Sequence, residues 1–389
     1  MSTPPSRLPP SFEPNALTLA IRRARGAGRE ILDLTVTNPT RAGFEYPDGL
    51  LTALGGAEGL DYDPHPLGLR AAREAVAADY QRRGISVDPD RLVLTSSTSE
   101  AYGWLFKLLC KPEGDTVLTP VPSYPLFDHL TRLEGVLAEA YRLDYHGRWS
   151  IDFDSLDRAW TDEVRGVLAV SPNNPTGSAI DAAEMTTLGD RCAYYEAGLI
   201  LDEVFADYPL GNGALASLPM PSGCLTFRLG GLSKSAGLPQ VKLGWIAVSG
   251  PDALVTRAMD HLELIADTYL SVSTPVQRAA ARLIAGGAAV RSQIAERVRR
   301  NYASLRAACR RHAAIEPLHA DGGWSAVLRV PATHPEEELV LTLLERDNVL
   351  VHPGYFFDFA QGCHLIVSLL APPEMFDAGV ARLLDRAGG

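Results

Sequence analysis

The chain has 389 residues, of which 46% are hydrophobic and 21% are charged, close to the average for globular proteins. Its 36 Lys and Arg against 47 Asp and Glu give a formal net charge of −11, which argues against nucleic acid or an anionic membrane as the main partner. No stretch approaches about 18 uncharged apolar residues and no signal-peptide core is present, so we expect a cytoplasmic protein. The five cysteines lack zinc-site spacing, which predicts free thiols and no metal site.

Prolines crowd the first fourteen residues, and because proline fixes φ and removes a backbone donor, we expect an extended arm over residues 1–14. A helix over 15–25 and a strand over 31–36 follow. Helices and short apolar strands then alternate, which predicts an α/β fold with a largely parallel sheet covered on both faces. A charged helix over 290–312 is expected to lead into a smaller C-terminal unit. The other predicted elements are helices at 69–82 and 97–109 and strands at 91–94, 116–119, 166–170, 199–202, 225–229, 245–248, 325–329 and 364–369.

Two loops at predicted strand ends, where α/β sheets bind their ligands, could present an amide and a carboxylate. Asn174 lies in the loop 170–177, in which prolines on both sides fix the backbone. An ordinary polar turn explains this loop equally well. Asp202 ends an apolar strand, where a carboxylate is costly unless a cation such as a protonated pyridine nitrogen pairs with it. Capping of the next helix is the alternative role for Asp202.

Two further loops could present an amine and an anion site. Lys234 lies among small residues just past a strand, and desolvation would lower the pKa of its amine and make it a nucleophile able to form a Schiff base. A lone lysine is more often an ordinary surface residue. Ser97 and Glu100 form the pattern of a capping box, and the free amides of such a helix N-terminus suit a phosphate. The capping box alone also explains the serine without any ligand.

Together, the motifs PNNPTG, LILDEVF, LSKSAGLP and TSSTSEA, with YDPHPLGL and PSY, resemble those of fold-type I pyridoxal-phosphate enzymes, specifically the class I/II aminotransferases. The resemblance extends from about residue 32 to the C-terminus. It implies a three-layer α/β/α large domain with a mostly parallel, mixed sheet, plus a smaller α+β domain. It assigns residues 46–285 to the large cofactor-binding domain, and residues 15–45 with 286–389 to the small domain.

The resemblance implies a role for each matching residue. Lys234 would carry pyridoxal 5'-phosphate as a Schiff base and move the proton during catalysis, and Asp202 would pair with the pyridine nitrogen. Asn174 would donate to the phenolic oxygen, and Tyr124 would stack on the ring. Tyr62 would reach the phosphate of the neighbouring subunit, so a homodimer is expected. The remaining implied phosphate-binding residues are Thr98, Ser99, Ser233 and Lys242.

Three positions near the implied cofactor depart from the family pattern. Phe205 replaces a tyrosine that donates to the phenolic oxygen, so we expect the Schiff-base pKa to lie above the family norm. Gly231 replaces a Ser or Thr that helps to bind phosphate. Lys242 replaces an arginine, which keeps the charge but gives up the bidentate fork. A phosphate held by fewer donors suggests weaker retention of the cofactor.

A fourth departure concerns the substrate. Ile366 occupies the place of the arginine that grips the substrate α-carboxylate, and an isoleucine cannot bind a carboxylate. Either another cation does so, or the substrate is not an ordinary α-amino acid. Arg41 could reach the pocket, although a structural role in its loop is the alternative. His352 and Tyr355 are further candidates to line the substrate side.

The resemblance predicts an aminotransferase that moves an amino group from an amino acid or amine to a 2-oxo acid by a ping-pong mechanism through Lys234. A lyase or decarboxylase stays open, because Lys234 and Asp202 would serve those reactions too and the missing arginine favours them. A non-catalytic module that binds the cofactor is the third alternative. A dinucleotide-binding dehydrogenase is excluded, because the segments RGAG and GNG lack the third glycine and the strand-then-helix context.

Overall fold

The computed structural model describes residues 7–9, 11–211 and 213–388. Part of the expected arm, residues 1–6 and 10, therefore lies outside the described residues. Its described part contains no helix or strand and is mostly exposed. The chain becomes regular at Ala16, where the side chain of the N-cap residue Asn15 accepts a hydrogen bond from the Thr18 amide at 2.8 Å.

The described residues form eleven α-helices and fourteen strands. The helices are α1 (Ala16–Gly26), α2 (Arg70–Arg82), α3 (Thr98–Leu109), α4 (Leu126–Glu134), α5 (Phe153–Ala159), α6 (Ala182–Tyr194), α7 (Leu232–Ser235), α8 (Asp252–Tyr269), α9 (Thr274–Cys309), α10 (Glu336–Asp347) and α11 (Pro373–Gly388). The strands are β1 (Leu32–Asp33), β2 (Leu92–Thr95), β3 (Thr116–Val121), β4 (Leu137–Tyr145), β5 (Trp149–Ile151), β6 (Val164–Val170), β7 (Gly198–Asp202), β8 (Thr226–Gly231), β9 (Gly244–Ser249), β10 (Glu316–Pro317), β11 (Ser325–Val330), β12 (Val349–Leu350), β13 (His352–Pro353) and β14 (Cys363–Ser368).

The large sheet has eight strands in the order β2-β9-β8-β7-β6-β3-β4-β5. Its five central strands, β8, β7, β6, β3 and β4, are parallel, whereas β9 and β5 are antiparallel to their neighbours. Buried side chains of β6 alternate between the two faces, with Leu168 on the side of α3 and α8 and Val167 on the side of α5 and α6. The prediction of a three-layer α/β fold with a mostly parallel, mixed sheet is confirmed.

The small sheet is antiparallel, with the order β10-β11-β14-β13, and β1 pairs with β12 in a separate parallel ribbon. Buried side chains from α1, α10, α11 and the second half of α9 cover one face of this sheet. We propose the domain boundaries given above, 46–285 and 15–45 with 286–389, which the membership of the two sheets supports. No helix among the described residues has the length and apolarity to cross a bilayer.

Three elements differ from their predictions. The strand expected over 31–36 is only β1, because the Asp33 carboxylate accepts the Thr35 amide at 2.9 Å and turns the chain out of the ladder. The helix expected from residue 290 begins sixteen residues earlier, at Thr274. The capping box at α3 is displaced: Ser97 accepts the Glu100 amide as predicted, but the Glu100 carboxylate accepts the amide of Ser96.

Candidate active site

The loops that follow β3, β6, β7 and β8 meet at the carboxyl edge of the large sheet. Asp202, the last residue of β7, pairs with Val170 of β6, and its carbonyl accepts the Ser171 amide at 2.9 Å. The Ser123 hydroxyl donates to the side-chain oxygen Oδ1 of Asn173 at 2.7 Å and so joins the loops after β3 and β6. These contacts fix the relative positions of the polar groups that the sequence places in separate loops.

Lys234 lies in the single-turn helix α7, directly after β8. Its Nζ atom is 5.0 Å from the ring centroid of Trp324 and 5.8 Å from that of Phe205. Burial lowers the pKa of this amine below its usual value, and the negative charge of Asp202 opposes that shift. The Tyr208 hydroxyl donates to the Lys234 carbonyl and holds the turn. The site therefore contains a desolvated amine with nucleophilic character.

Asp202 is buried and accepts two hydrogen bonds. The Tyr102 hydroxyl donates to Oδ2 at 2.7 Å, and the Val204 amide donates to Oδ1 at 2.9 Å. Burial raises the pKa of this carboxyl above its usual range, while both hydrogen bonds act in the opposite direction. Sequence reasoning missed Tyr102, which projects from α3 and is separated from its partner by 100 residues. The two hydrogen bonds therefore hold the Asp202 carboxylate in a fixed orientation, and a nearby positive charge would offset the cost of its burial.

Asn174 and Tyr124 lie on the side of the site that faces the small sheet. The Ser325 hydroxyl, at the start of β11, donates to the side-chain oxygen Oδ1 of Asn174 at 3.3 Å. Because this contact engages the amide oxygen, the amide nitrogen is the end of the Asn174 side chain that can donate to a ligand. Tyr124 directly follows Ser123, and its side chain is 45% exposed, so one ring face is accessible to a ligand.

The N-terminus of α3 lies beside the entry to β9. Thr98 and Ser99 occupy the first turn of this helix, where backbone amides lack intrahelical partners. Gly244 pairs with both Thr95 and Gly231, which brings this turn close to α7. The remaining predicted phosphate-binding residues, Ser233 in α7 and Lys242 just before β9, belong to the same neighbourhood.

The structure gives a packing reason for Gly231. A Cβ atom at this position would lie 3.2 Å from both the Gly244 Cα atom and the Leu243 carbonyl oxygen. A serine or threonine at this position would require the backbone of the neighbouring strand to move by a few tenths of an ångström. Close strand packing therefore favours glycine at residue 231.

Three predicted residues lie apart from this cluster. Tyr62 is 77% exposed and lines a separate cleft of about 240 Å³ together with Trp104 and Leu270. Arg41 is exposed at the end of a short 3-10 helix (Pro39–Arg41). Ile366 is 2% exposed and packs in the apolar cluster between the two sheets. Within the single chain, none of the three forms a hydrogen bond or ion pair with Lys234 or Asp202 among the described residues.

Comparisons with known proteins identify a family that this chain resembles over most of its length. Residues 58–382 match the family model described as aminotransferase class I and II. An alanine aminotransferase from Mycobacterium bovis is 29% identical over 384 residues, 93% of this chain and 86% of that protein. The glutamate-pyruvate aminotransferase AlaA of Escherichia coli is 27% identical over 68% of this chain and 66% of its own length. An alanine aminotransferase structure from Pyrococcus furiosus superposes with a TM-score of 0.85 at 24% identity, covering 95% of each chain.

Proposed function

Because the chain belongs to the class I and II aminotransferases, a family of pyridoxal-phosphate-dependent enzymes, we propose that it moves an amino group from an amino acid or amine to a 2-oxo acid by a ping-pong cycle through Lys234. The observation that carries this proposal is the buried Lys234 amine at the carboxyl edge of the large sheet, with Asp202 as the nearby negative charge. By analogy with the relatives named above, alanine is the first donor to test.

The residues present fit the cofactor. Asp202 is a buried carboxylate with a raised pKa, and a protonated pyridine nitrogen would supply the positive charge that offsets its burial. The indole nitrogen of Trp324, whose ring faces Lys234, is buried without a hydrogen-bond partner among the described residues. A polar group of a bound ligand could accept a hydrogen bond from this donor. The open first turn of α3 suits the phosphate.

Lys234 is the residue to which we assign covalent attachment and proton transfer. When bound, the cofactor supplies an electrophilic carbon and withdraws the electron pair that remains when a substrate C–H bond breaks. The Lys234 amine, whose pKa burial lowers, would accept the proton from the substrate carbon and return it to the neighbouring carbon of the cofactor. The aromatic rings of Trp324 and Phe205 exclude water from this amine during the transfer.

The other polar residues orient the reacting groups. Asp202, held by Tyr102 and Val204, would keep the ring nitrogen of the bound cofactor protonated. The Asn174 amide nitrogen, whose oxygen is engaged by Ser325, would donate to the phenolic oxygen. We assign to Tyr124 the role of stacking on the ring of the cofactor. The residues that we assign to the phosphate are Thr98, Ser99, Ser233 and Lys242.

A lyase or decarboxylase remains the alternative that one observation favours. Ile366 is buried in an apolar cluster and offers no charge to a substrate carboxylate. Since Lys234 and Asp202 would serve both reaction types, only the products separate them. Release of a keto acid and ammonia without any added oxo acid would identify a lyase, whereas dependence on the acceptor identifies transamination.

We further propose that the active form is a homodimer in which Tyr62 reaches the phosphate of the partner subunit. The cleft that Tyr62 lines supports this, because large apolar side chains around it are exposed in the single chain. These side chains are Leu270, which lines the cleft, and Tyr269, which stacks on Trp104 of its lining. Sedimentation of the protein with cofactor distinguishes a monomer from a dimer.

The experiment that tests the proposed function is an absorbance scan of the purified protein with pyridoxal phosphate, repeated across a panel of amino acids and amines. We expect a visible band that one donor abolishes and a 2-oxo acid restores. Lys234→Ala should abolish both the band and turnover. Lys111→Ala, an exposed lysine at the end of α3, is the matched control and should leave both unchanged. A normal band in Lys234→Ala would refute the assignment.

A further inference from the structure

We propose that His352 recognises the substrate carboxylate in place of the arginine that Ile366 replaces. This inference rests on the proposed function and names the residue that would hold the carboxylate of an amino acid or 2-oxo acid. Two observations support it. The register of the small sheet places His352 opposite Ile366, and the buried Nδ1 atom of His352 has no hydrogen-bond partner among the described residues.

One face of the small sheet is turned towards the site. Ser325 of β11 reaches Asn174 with its hydroxyl, and Ser325 pairs with Ser368 of β14. Because side chains two residues apart on a strand share a face, Ile366 points to the same side, about 7 Å further along β14. His352 of β13 is directly opposite Ile366, so its side chain lies on this face too. His352 therefore occupies the cross-strand neighbour of the missing arginine.

The His352 side chain has an unused hydrogen-bonding atom. Its Nδ1 is buried and has no hydrogen-bond partner among the described residues. A buried polar atom without a partner is costly, and a ligand oxygen would satisfy it. The rings of Phe356 and Phe357, each with its centroid 6.0 Å from that of His352, pack against the imidazole and restrict its orientation. The group is therefore positioned before any ligand binds.

The charge of His352 is expected to respond to the substrate. Burial lowers the pKa of this imidazole, and the negative charge of Asp33 on β1 opposes that shift. Titratable groups on the elements packed around it include His364 and Cys363 on β14, and Tyr355 and Asp358 in the turn after β13. Glu336 at the start of α10, whose carboxylate accepts the amides of Tyr355 and His364, is a further one. A substrate carboxylate beside the ring favours the imidazolium and raises its pKa, so carboxylate binding should take up a proton. The ion pair between the His352 imidazolium and the substrate carboxylate contributes to affinity at pH values below the pKa of His352 in the complex. This contribution is lost as the pH rises through that pKa.

We expect His352 to bind the substrate carboxylate more weakly than an arginine would. An imidazole offers one hydrogen bond to the carboxylate, whereas a guanidinium offers two parallel ones and stays charged at all working pH values. We therefore expect a KM for amino acids that rises with pH and a smaller preference for the acid over its amide than an arginine would give.

Steady-state kinetics of the holoenzyme with alanine and a 2-oxo acid provide the first test. In His352→Leu we expect the KM for alanine to rise by about 10- to 100-fold, the loss of one hydrogen bond to a charged group, with kcat within about threefold. The KM should also lose its pH dependence, and His352→Gln should recover part of the affinity. His364→Leu is the matched control, since His364 is a buried histidine of the same face whose Nδ1 also lacks a partner among the described residues, but it lies two residues further along β14 from Asn174 than Ile366 does. An unchanged KM in His352→Leu, or an equal rise in His364→Leu, would overturn the proposal.

A binding measurement without turnover separates this inference from the proposed function. Propanoate and propanamide are titrated into the holoenzyme, and binding is followed by the pH titration of the visible cofactor band, since a bound anion favours a protonated neighbour. Propanoate should move the titration to higher pH in the wild type but not in His352→Leu, and propanamide should move neither. Propanoate binding that depends on His352 supports the inference even if no donor transaminates. Equal propanoate binding in both proteins refutes it even if transamination is observed.

Discussion

Tyr102→Phe removes one oxygen atom and with it the hydrogen bond to Asp202. Both residues are buried, and the hydroxyl lies 2.7 Å from Oδ2, so no water replaces the lost donor. A hydrogen bond to a charged group contributes about 1.5–3 kcal/mol, and about 1.4 kcal/mol corresponds to a factor of ten. The Val204 amide remains on Oδ1, so Asp202 keeps its position but ionises less readily. We therefore expect kcat to fall by about 10- to 100-fold while KM changes little.

The assay is kcat as a function of pH, because a purely structural role would not move the profile. Loss of the Tyr102 donor raises the pKa of Asp202 further, so the acid limb of the kcat profile should shift to higher pH. Tyr141→Phe is the matched control: its hydroxyl is also buried and donates to the Leu168 carbonyl at 2.8 Å, within β6 rather than at its end. Both variants should lose about 1 kcal/mol of stability, but only Tyr102→Phe should lose activity. A wild-type kcat profile in Tyr102→Phe would refute this reasoning.

Three further changes have defined outcomes. Phe205→Tyr restores a donor beside Lys234 and should move the pH titration of the visible cofactor band to lower pH, whereas an unshifted titration would place residue 205 outside contact with the cofactor. Gly231→Ser should destabilise the protein by about 1–3 kcal/mol in denaturant unfolding without tightening cofactor binding, because its Cβ would lie 3.2 Å from Leu243 and Gly244 backbone atoms. Burial lowers the pKa of His364 to about 4, so the wild type should lose stability as the pH falls from 6.5 towards 4, since the unfolded chain takes up the proton first. When thermal unfolding is compared at pH 7 and at pH 4.5, His364→Gln should lose less stability than the wild type. An equal loss in both proteins would contradict the lowered pKa of His364.

The sequence predicts the central site residues because each lies at the end of a strand with a strong apolar signal. Lys234, Asp202 and Asn174 all follow such strands, and the parallel order brings strand ends together. Tyr102 and Trp324 carry no comparable signal. Tyr102 lies on the buried side of an apolar helix, where a tyrosine is most simply a core residue, and its partner is distant in sequence. Trp324 precedes β11, in a different sheet from Lys234, so only the tertiary structure brings the two together.

Regular elements were missed where packing overrides local preference. Gly286 and Gly287 resemble a helix break, so the sequence predicts a start of α9 that is too late. In the structure a Cβ atom at Gly287 would lie 2.4 Å from the Ala236 Cβ atom, so the glycine is needed for the approach of α9 to α7. The edge strands β4 and β5 were also not predicted. Of the nine residues of β4 only Tyr141 and Leu143 are buried, which gives it a weak apolar signal.

Helix α9 belongs to both halves of the molecule. Ala280 and Leu283, near its start, pack with α2 against the large sheet, whereas Val298 and Leu305, near its end, pack in the core of the small sheet. Each residue of an α-helix adds 1.5 Å of length and, at 3.6 residues per turn, about 100° of rotation. A single-residue insertion between the two segments would therefore rotate the side chains of one segment by about 100° relative to those of the other, so both could not face their cores. Natural variation in this family should thus preserve the length of α9 while it accepts substitutions, and insertions should accumulate in the loops instead.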